Sequence, residues 1–297
     1  MLPSDFFINF DSAQHTGQAA VDKHLEYINY TELDLIKIQL ELPFPLQPQI
    51  LQPEDWKTKL PFFTIEHYEP MLKVVESLVK AAQKEAVIVL TLYSPFMECN
   101  NMVGADVVAR HIEQDPELFK FGIEQMTESL LGFVRACTRL GLDGFYTSTQ
   151  GGEKARLSDP VLFDKYIAPS DLLLMNEVSQ TCNFNILHVC DYWGAYSDLT
   201  RFANWPGQVV SAGLELTDDK ELTSRQVASL FNRPFLGGLE RKGVISTGTP
   251  EEIRQAVQAV LQNAPERFIL GADCTVLTNT PWDNLRLAIQ IAHEYLR

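Results

Sequence analysis

Arginine is missing from the first third of this 297-residue sequence: none precedes Arg110. Guanidinium forks are the natural clamp for carboxylates, so no such clamp can come from the first strands of the chain. Positive charge is scarce throughout, with 24 Lys and Arg against 39 Asp and Glu and a net charge of −15. That balance argues against nucleic acid or an anionic membrane as a partner, since both need basic surface. No apolar run approaches the roughly 20 residues of a membrane span. The N-terminus, Met1-Leu2-Pro3-Ser4-Asp5, lacks the basic stretch and long apolar run of a secretory leader. Cysteine is sparse, odd in number and scattered, at positions 99, 137, 182, 190 and 274. A disulfide framework is therefore not expected, and a reducing cytoplasm is the simplest compartment. No Gly/Ser linker or composition break divides the chain, so residues 1–297 read as one domain.

What the sequence does contain is alternation. Eight short β-rich runs recur: Phe6 to Phe10, Leu33 to Leu40, Ala86 to Tyr93, Leu142 to Thr147, Asn183 to Cys190, Val209 to Leu216, Pro234 to Leu239, and Phe268 to Cys274. Helical patterns separate them. Thr249-Pro250-Glu251-Glu252 is a capping box with proline at the first helical position, and Ile253, Val257, Val260 and Leu261 form one apolar face behind it. Asp115-Pro116-Glu117 opens another helix, and Thr280-Pro281-Trp282-Asp283 repeats the design near the C-terminus. Strands alternating with helices imply parallel βαβ units, and eight of them imply a closed (β/α)8 TIM barrel. An open doubly wound sheet is the alternative, but no Gly-x-Gly-x-x-Gly follows the first strand.

In such a barrel the chemistry sits at the C-terminal ends of the strands. Side chains two apart on a strand share a face. In Asn185-Ile186-Leu187-His188-Val189-Cys190-Asp191, His188 and Cys190 therefore project together, with Leu187 and Val189 on the other side. An imidazole and a thiol side by side suit a soft metal such as zinc. The last strand delivers Cys274 as a third donor. On the sixth run the inward parity is Ser211, Gly213 and Glu215, which makes Glu215 a candidate fourth ligand or a partner of the ligands. The bland alternative is that both cysteines are buried core thiols and His188 a hydrogen-bonded core histidine. Cys137 and Cys182 read as structural, Cys99 is a weaker ligand candidate, and the other histidines read as packing or surface residues. Two thiolates would neutralise a divalent ion and leave it a weak Lewis acid. Such a centre suits binding a substrate thiol and keeping it nucleophilic better than polarising water.

Four stretches then carry a resemblance: Asn185 to Cys190; Leu236-Gly237-Gly238-Leu239-Glu240-Arg241-Lys242-Gly243; Gly248-Thr249-Pro250-Glu251-Glu252-Ile253; and Leu270-Gly271-Ala272-Asp273-Cys274 followed by Thr280 to Leu285. In this order they resemble the uroporphyrinogen decarboxylase superfamily, from about the second strand onward. The resemblance implies a (β/α)8 barrel and two candidate chemistries. True decarboxylases of the superfamily are metal-free and hold substrate carboxylates with arginines of an N-terminal Arg-Gln-Ala-Gly-Arg motif, which this chain lacks. Their key aspartate after strand two corresponds here to Glu41. The methyltransferases of the superfamily move a methyl group from a corrinoid to a thiol such as coenzyme M, and their zinc motif, His-x-Cys with a distant Cys, corresponds to His188, Cys190 and Cys274. Glu215 matches their acidic ligand in kind and order. The chain also starts later than typical members.

The expected activity is thus zinc-dependent methyl transfer from a methylcorrinoid, carried by another protein, to a small-molecule thiol. Glu215 and Glu41 are the expected catalytic carboxylates, Tyr93, Gln150 and Glu240 the expected pocket residues, and a homodimer one expected assembly. A carboxy-lyase of tetrapyrrole (heme) biosynthesis and a catalytically silent corrinoid- or partner-binding barrel are the competing readings.

Overall fold

The computed structural model describes residues 2–39, 42–82 and 86–295. Among the described residues, seven strands, β1 (Leu35–Ile38), β2 (Val87–Tyr93), β3 (Gly144–Thr149), β4 (Ile186–Val189), β5 (Val209–Ala212), β6 (Phe235–Leu239) and β7 (Phe268–Ala272), lie hydrogen-bonded in chain order. Each neighbouring pair is parallel, and helices connect most of them across the outer face. The sheet curls as the sequence pattern requires, because every right-handed crossover packs its helix on the same side.

The first expected strand differs. Phe6–Phe10 forms no continuous ladder. Instead, Ser4 and Ile8 make isolated parallel bridges to Leu270 and Val276. The Asp34 amide, just ahead of β1, donates to the Ser4 carbonyl at 3.3 Å. The segment therefore sits at the eighth position, between β7 and β1. Its ladder breaks because the partner chain bends away at Asp273 and Cys274 before rejoining at Val276. The result is a distorted α/β barrel of seven strands and one bridging segment.

Side chains at the strand starts pin the register. The Asn185 carboxamide accepts from the Phe145 amide at 3.0 Å and donates to the Cys182 carbonyl at 3.2 Å. Asp143 does the same work for β2, accepting from the Ile88 amide at 2.8 Å. Phe7, Leu35, Val89, Tyr146, Ile186, Val209 and Leu236 fill the barrel floor. Each such aliphatic side chain contributes about 1.5–3 kcal/mol by leaving water. Outward residues such as Leu187, Val189 and Val210 join the larger core under the helices.

Two of the three predicted helix starts form as expected. The Asp115 side chain caps Pro116–Arg139, and Thr249 with Glu252 makes the full capping box of Pro250–Asn263. The third does not. Trp282–Glu294 begins with Pro281 at the cap and no side-chain cap bond, because Thr280 is buried and its hydroxyl pairs with Ser246 at 2.7 Å. Among the described residues, no helix is long and apolar enough to cross a membrane.

Candidate metal centre

Strand β4 is buried along its whole length. Its parity is the one read from the sequence: Ile186 belongs to the barrel floor, while Leu187 and Val189 face the helices. His188 consequently points into the barrel above Ile186. It lies level with Ser148 of β3 and Ser211 of β5. Cys190 follows one step higher, held by its amide to the Thr149 carbonyl (3.1 Å) and by the Tyr196 hydroxyl on its own carbonyl (2.9 Å).

Cys274 arrives from the other side. After β7, Asp273 adds one more ladder bond, its amide to the Leu239 carbonyl at 2.9 Å. Its carboxylate then accepts from the Arg241 amide (2.8 Å) and the Cys274 amide (2.9 Å), which fixes the turn. The outcome is a cluster in which the donor atoms of His188, Cys190 and Cys274 all lie within 4.8 Å of one another.

The protonation chemistry of the cluster is unusual. The hydrogen bond between the two thiols holds Cys274 well below the ordinary thiol range, with His188 and Arg241 acting in the same sense. The same bond, together with burial, pushes Cys190 well up. The Gln150 carboxamide donates to the Cys190 sulfur at 3.2 Å. His188 is 1% exposed, yet neither ring nitrogen has a hydrogen-bond partner. By contrast, the buried rings of His24 and His111 engage both nitrogens. A buried imidazole pays for such isolation unless something binds it. What orients His188 is the Tyr146 ring, stacked on it with centroids 5.0 Å apart. One orphaned imidazole and two convergent thiols are a donor set that fits a soft divalent ion.

The cluster forms one wall of a cavity of about 380 Å³ at the C-terminal mouth of the barrel. Tyr93 and Gln150 are among the residues that line it. Glu215 is not. Strand β5 stops at Ala212, and the chain then forms a small antiparallel turn, with Leu222 bonded to Leu214 and Leu216 to Lys220 at 2.8 Å. That turn leaves Glu215 exposed and lining a separate cavity of about 370 Å³. The expectation that Glu215 completes the metal shell is corrected by this turn. Glu240 is likewise exposed and lines the second cavity. Glu41 lies outside the described residues. Cys99, Cys137 and Cys182 are buried apart from the cluster, their thiols pushed up by desolvation.

Sequence reading missed Lys37, Tyr146, Trp193 and Arg241, all of which line the metal-side cavity. Parity held a signal for one of them: stepping back by two from Gln150 gives Ser148 and Tyr146. Arg241 stands beside Glu240 at the expected end of its strand, a position that marks it; nothing local marked Lys37.

Comparison with known proteins gives the family and the fold. The protein is 23% identical over 253 residues to the methylated-thiol–coenzyme M methyltransferase of Methanosarcina mazei, a match covering 83% of this chain and 64% of that protein. The chain thus spans less than two thirds of the curated relative's length. Among solved structures, a methyltransferase from Methanosarcina mazei superposes with a TM-score of 0.74 at 12% identity, covering 99% of this chain and 94% of the other. A B12-independent methionine synthase from Shewanella sp. W3-18-1 gives 0.55 at 9% identity, with 99% and 94% covered. The β-mannanase of the blue mussel Mytilus edulis gives 0.54 at 11%, with 99% and 92% covered, so at this distance superposition shows the fold alone. The sequence model that matches residues 35–295 is that of uroporphyrinogen decarboxylase (URO-D), and it spans every named strand and the whole cluster. The chain belongs to the uroporphyrinogen decarboxylase family.

Proposed function

We propose that this protein is a zinc-dependent methyltransferase that moves a methyl group from a corrinoid donor to a substrate thiol. The observation that carries the reading is the cluster of His188, Cys190 and Cys274 beside an open cavity. The metal-free decarboxylases that the family resemblance evokes have no use for such a donor set. The coenzyme M methyltransferase relative supports the same choice.

His188, Cys190 and Cys274 would hold the metal. When bound there, zinc would lower the pKa of the substrate thiol while two thiolate ligands keep its sulfur electron-rich. The chain's own residues do the rest. Tyr146 holds the imidazole plane, and Gln150 holds the Cys190 sulfur by a buried hydrogen bond. The donor would reach the thiol from the open mouth, carried by a separate corrinoid protein.

Two outcomes test this. A methylated corrinoid should lose its methyl group to an added thiol in the presence of the zinc-loaded protein, followed by the visible spectrum of the corrinoid. Thiol binding at neutral pH should also release about one proton, because the free thiol has a pKa of about 8.5 and enters protonated. Calorimetry in buffers of different ionisation enthalpy reads that proton directly. No proton release and no methyl transfer with any thiol would leave a structural metal and sink the proposal.

Gln150 yields a separate expectation. Partners that hold a metal ligand typically contribute 10- to 100-fold in affinity, so Gln150→Leu should weaken zinc binding by about that factor. Competition against a chromophoric chelator measures it. Affinity unchanged within about twofold would mean that the bond to Cys190 does not orient the ligand.

A further inference from the structure

His188 is held in an uncommon way. A metal-binding imidazole ordinarily donates from its second ring nitrogen to a carboxylate or carbonyl, and that bond fixes the ring. Among the described residues, neither ring nitrogen of His188 has such a partner. The side chain that faces it is Tyr146, with ring centres 5.0 Å apart and planes inclined by 28°. Tyr146 is in turn poorly fixed by its own hydroxyl. That group meets Ser211 Oγ at 3.5 Å, beyond the roughly 3 Å of a good O–H···O bond.

The support comes from β1. Lys37 shares the inward parity of Leu35, a residue of the barrel floor. Its ammonium lies over two rings, 4.6 Å from the centre of Tyr146 and 4.1 Å from that of Phe7. Phe7 itself meets Tyr146 edge-on at 4.8 Å. The ammonium is tethered: Nζ donates to Gln39 Oε1 at 3.0 Å, and the same oxygen accepts from the Thr91 hydroxyl at 3.1 Å. Gln39 Nε2 donates to the Ile8 carbonyl at 3.0 Å, which ties the group to the bridging segment. Lys37, Gln39, Thr91 and Tyr146 are all buried. Lysine is among the costliest residues to bury, and methionine would fill the space without that cost. What the lysine adds is a positive charge against ring faces, an attraction that strengthens when desolvated.

We infer that Lys37 is a positioning residue for the metal centre: its ammonium holds the Tyr146 ring, and that ring holds the His188 imidazole in the plane that presents a nitrogen to the metal. The inference rests on the metal reading above and deepens it. Two effects of the charge oppose each other. Through space, a cation near the site repels a divalent ion, so its removal tightens metal binding. Through the ring stack, its removal frees Tyr146 and lets the imidazole turn, which weakens binding. Two thiolate ligands neutralise the ion, so the first effect is small and the second wins.

The test uses the full chain with cobalt(II) in place of zinc. Its visible d–d bands report ligand geometry, and competition against a chromophoric chelator gives the affinity. Lys37→Met should weaken metal binding about 10- to 100-fold, the range of partners that orient a ligand, and should shift the bands. Lys37→Arg keeps a cation over the rings and should restore most of both. Tyr146→Leu should weaken binding by a similar factor. The double variant Lys37→Met/Tyr146→Leu should be no weaker than Tyr146→Leu, because the two side chains act in series. Tighter or unchanged binding in Lys37→Met, or unchanged bands, defeats the inference and leaves the metal site standing. Effects that multiply in the double variant would show Lys37 acting independently of Tyr146, and defeat it too. If the wild-type chain binds neither cobalt nor zinc, both readings fall together. Should Lys37→Met fail to fold, Gln39→Leu decides the matter. It removes the acceptor of the ammonium and should shift the bands in the same direction, and a wild-type spectrum in that variant counts against Lys37.

Discussion

Zinc should fall from about one ion per chain to a small fraction of that in Cys190→Ala and in Cys274→Ala, as elemental analysis of protein purified without chelator will show. Three donors within 4.8 Å leave no spare ligand in the cluster, so removing one sulfur removes a third of the site. The loss should exceed the 10- to 100-fold typical of a partner that merely supports a ligand, and should be roughly equal for the two cysteines. Transfer activity should vanish with the metal. Glu215→Gln is the informative control. An exposed Glu215 lining the second cavity predicts full zinc content in that variant. Zinc lost from Glu215→Gln, or retained in full by both cysteine variants, would overturn the site as drawn.

A second large effect is expected in stability rather than chemistry. Asp171 is fully buried behind β3, accepting from the Thr149 hydroxyl at 2.7 Å. Burial raises its pKa to about 8, against the lowering pull of the Thr149 and Ser94 hydroxyls. The sign follows from proton counting. Between the unfolded value of about 4 and the folded value near 8, the native state holds a proton that the unfolded chain has released. Stability is therefore fully present below pH 4 and declines as pH rises to about 8, by about 1.4 kcal/mol per unit, or about 4 kcal/mol at pH 7. Asp171→Asn cannot titrate and should not decline in this way. Urea unfolding of both proteins across pH 4.5 to 8 isolates the difference, since every other group is shared. The variant should gain on the wild type steadily through that window. Parallel profiles would mean that Asp171 is charged in the folded protein.

Much of the fold was legible because its signals are local. Short β-rich apolar runs such as Val87–Tyr93 and capped amphipathic helices such as Pro250–Asn263 are written within a dozen or so residues. The order of strands followed from their alternation with helices, since right-handed crossovers leave few other topologies. Phe6–Phe10 exposed the limit of that reasoning. Its composition is that of a strand, yet whether it pairs continuously depends on β7, which turns at Asp273 to place Cys274.

The site divides in the same way. The sequence by itself determined that His188 and Cys190 share a face, because alternation along a strand is a property of the backbone. It also determined that the metal, if held, would be held by soft donors. Only the tertiary structure decided that Cys274 meets them, that Tyr146 stacks on His188, and that Arg241 is braced between Asp191 and Asp273. These contacts join different strands, and their geometry is set by how the barrel closes. Glu215 shows the difference most clearly. Parity placed it inward, and parity holds as far as Ala212. After Gly213, where a β-carbon would lie 2.2 Å from the Asp191 carboxylate, the chain leaves the strand and the rule no longer applies. A strand's period determines which way a side chain faces, but the end of the strand is fixed by its neighbours.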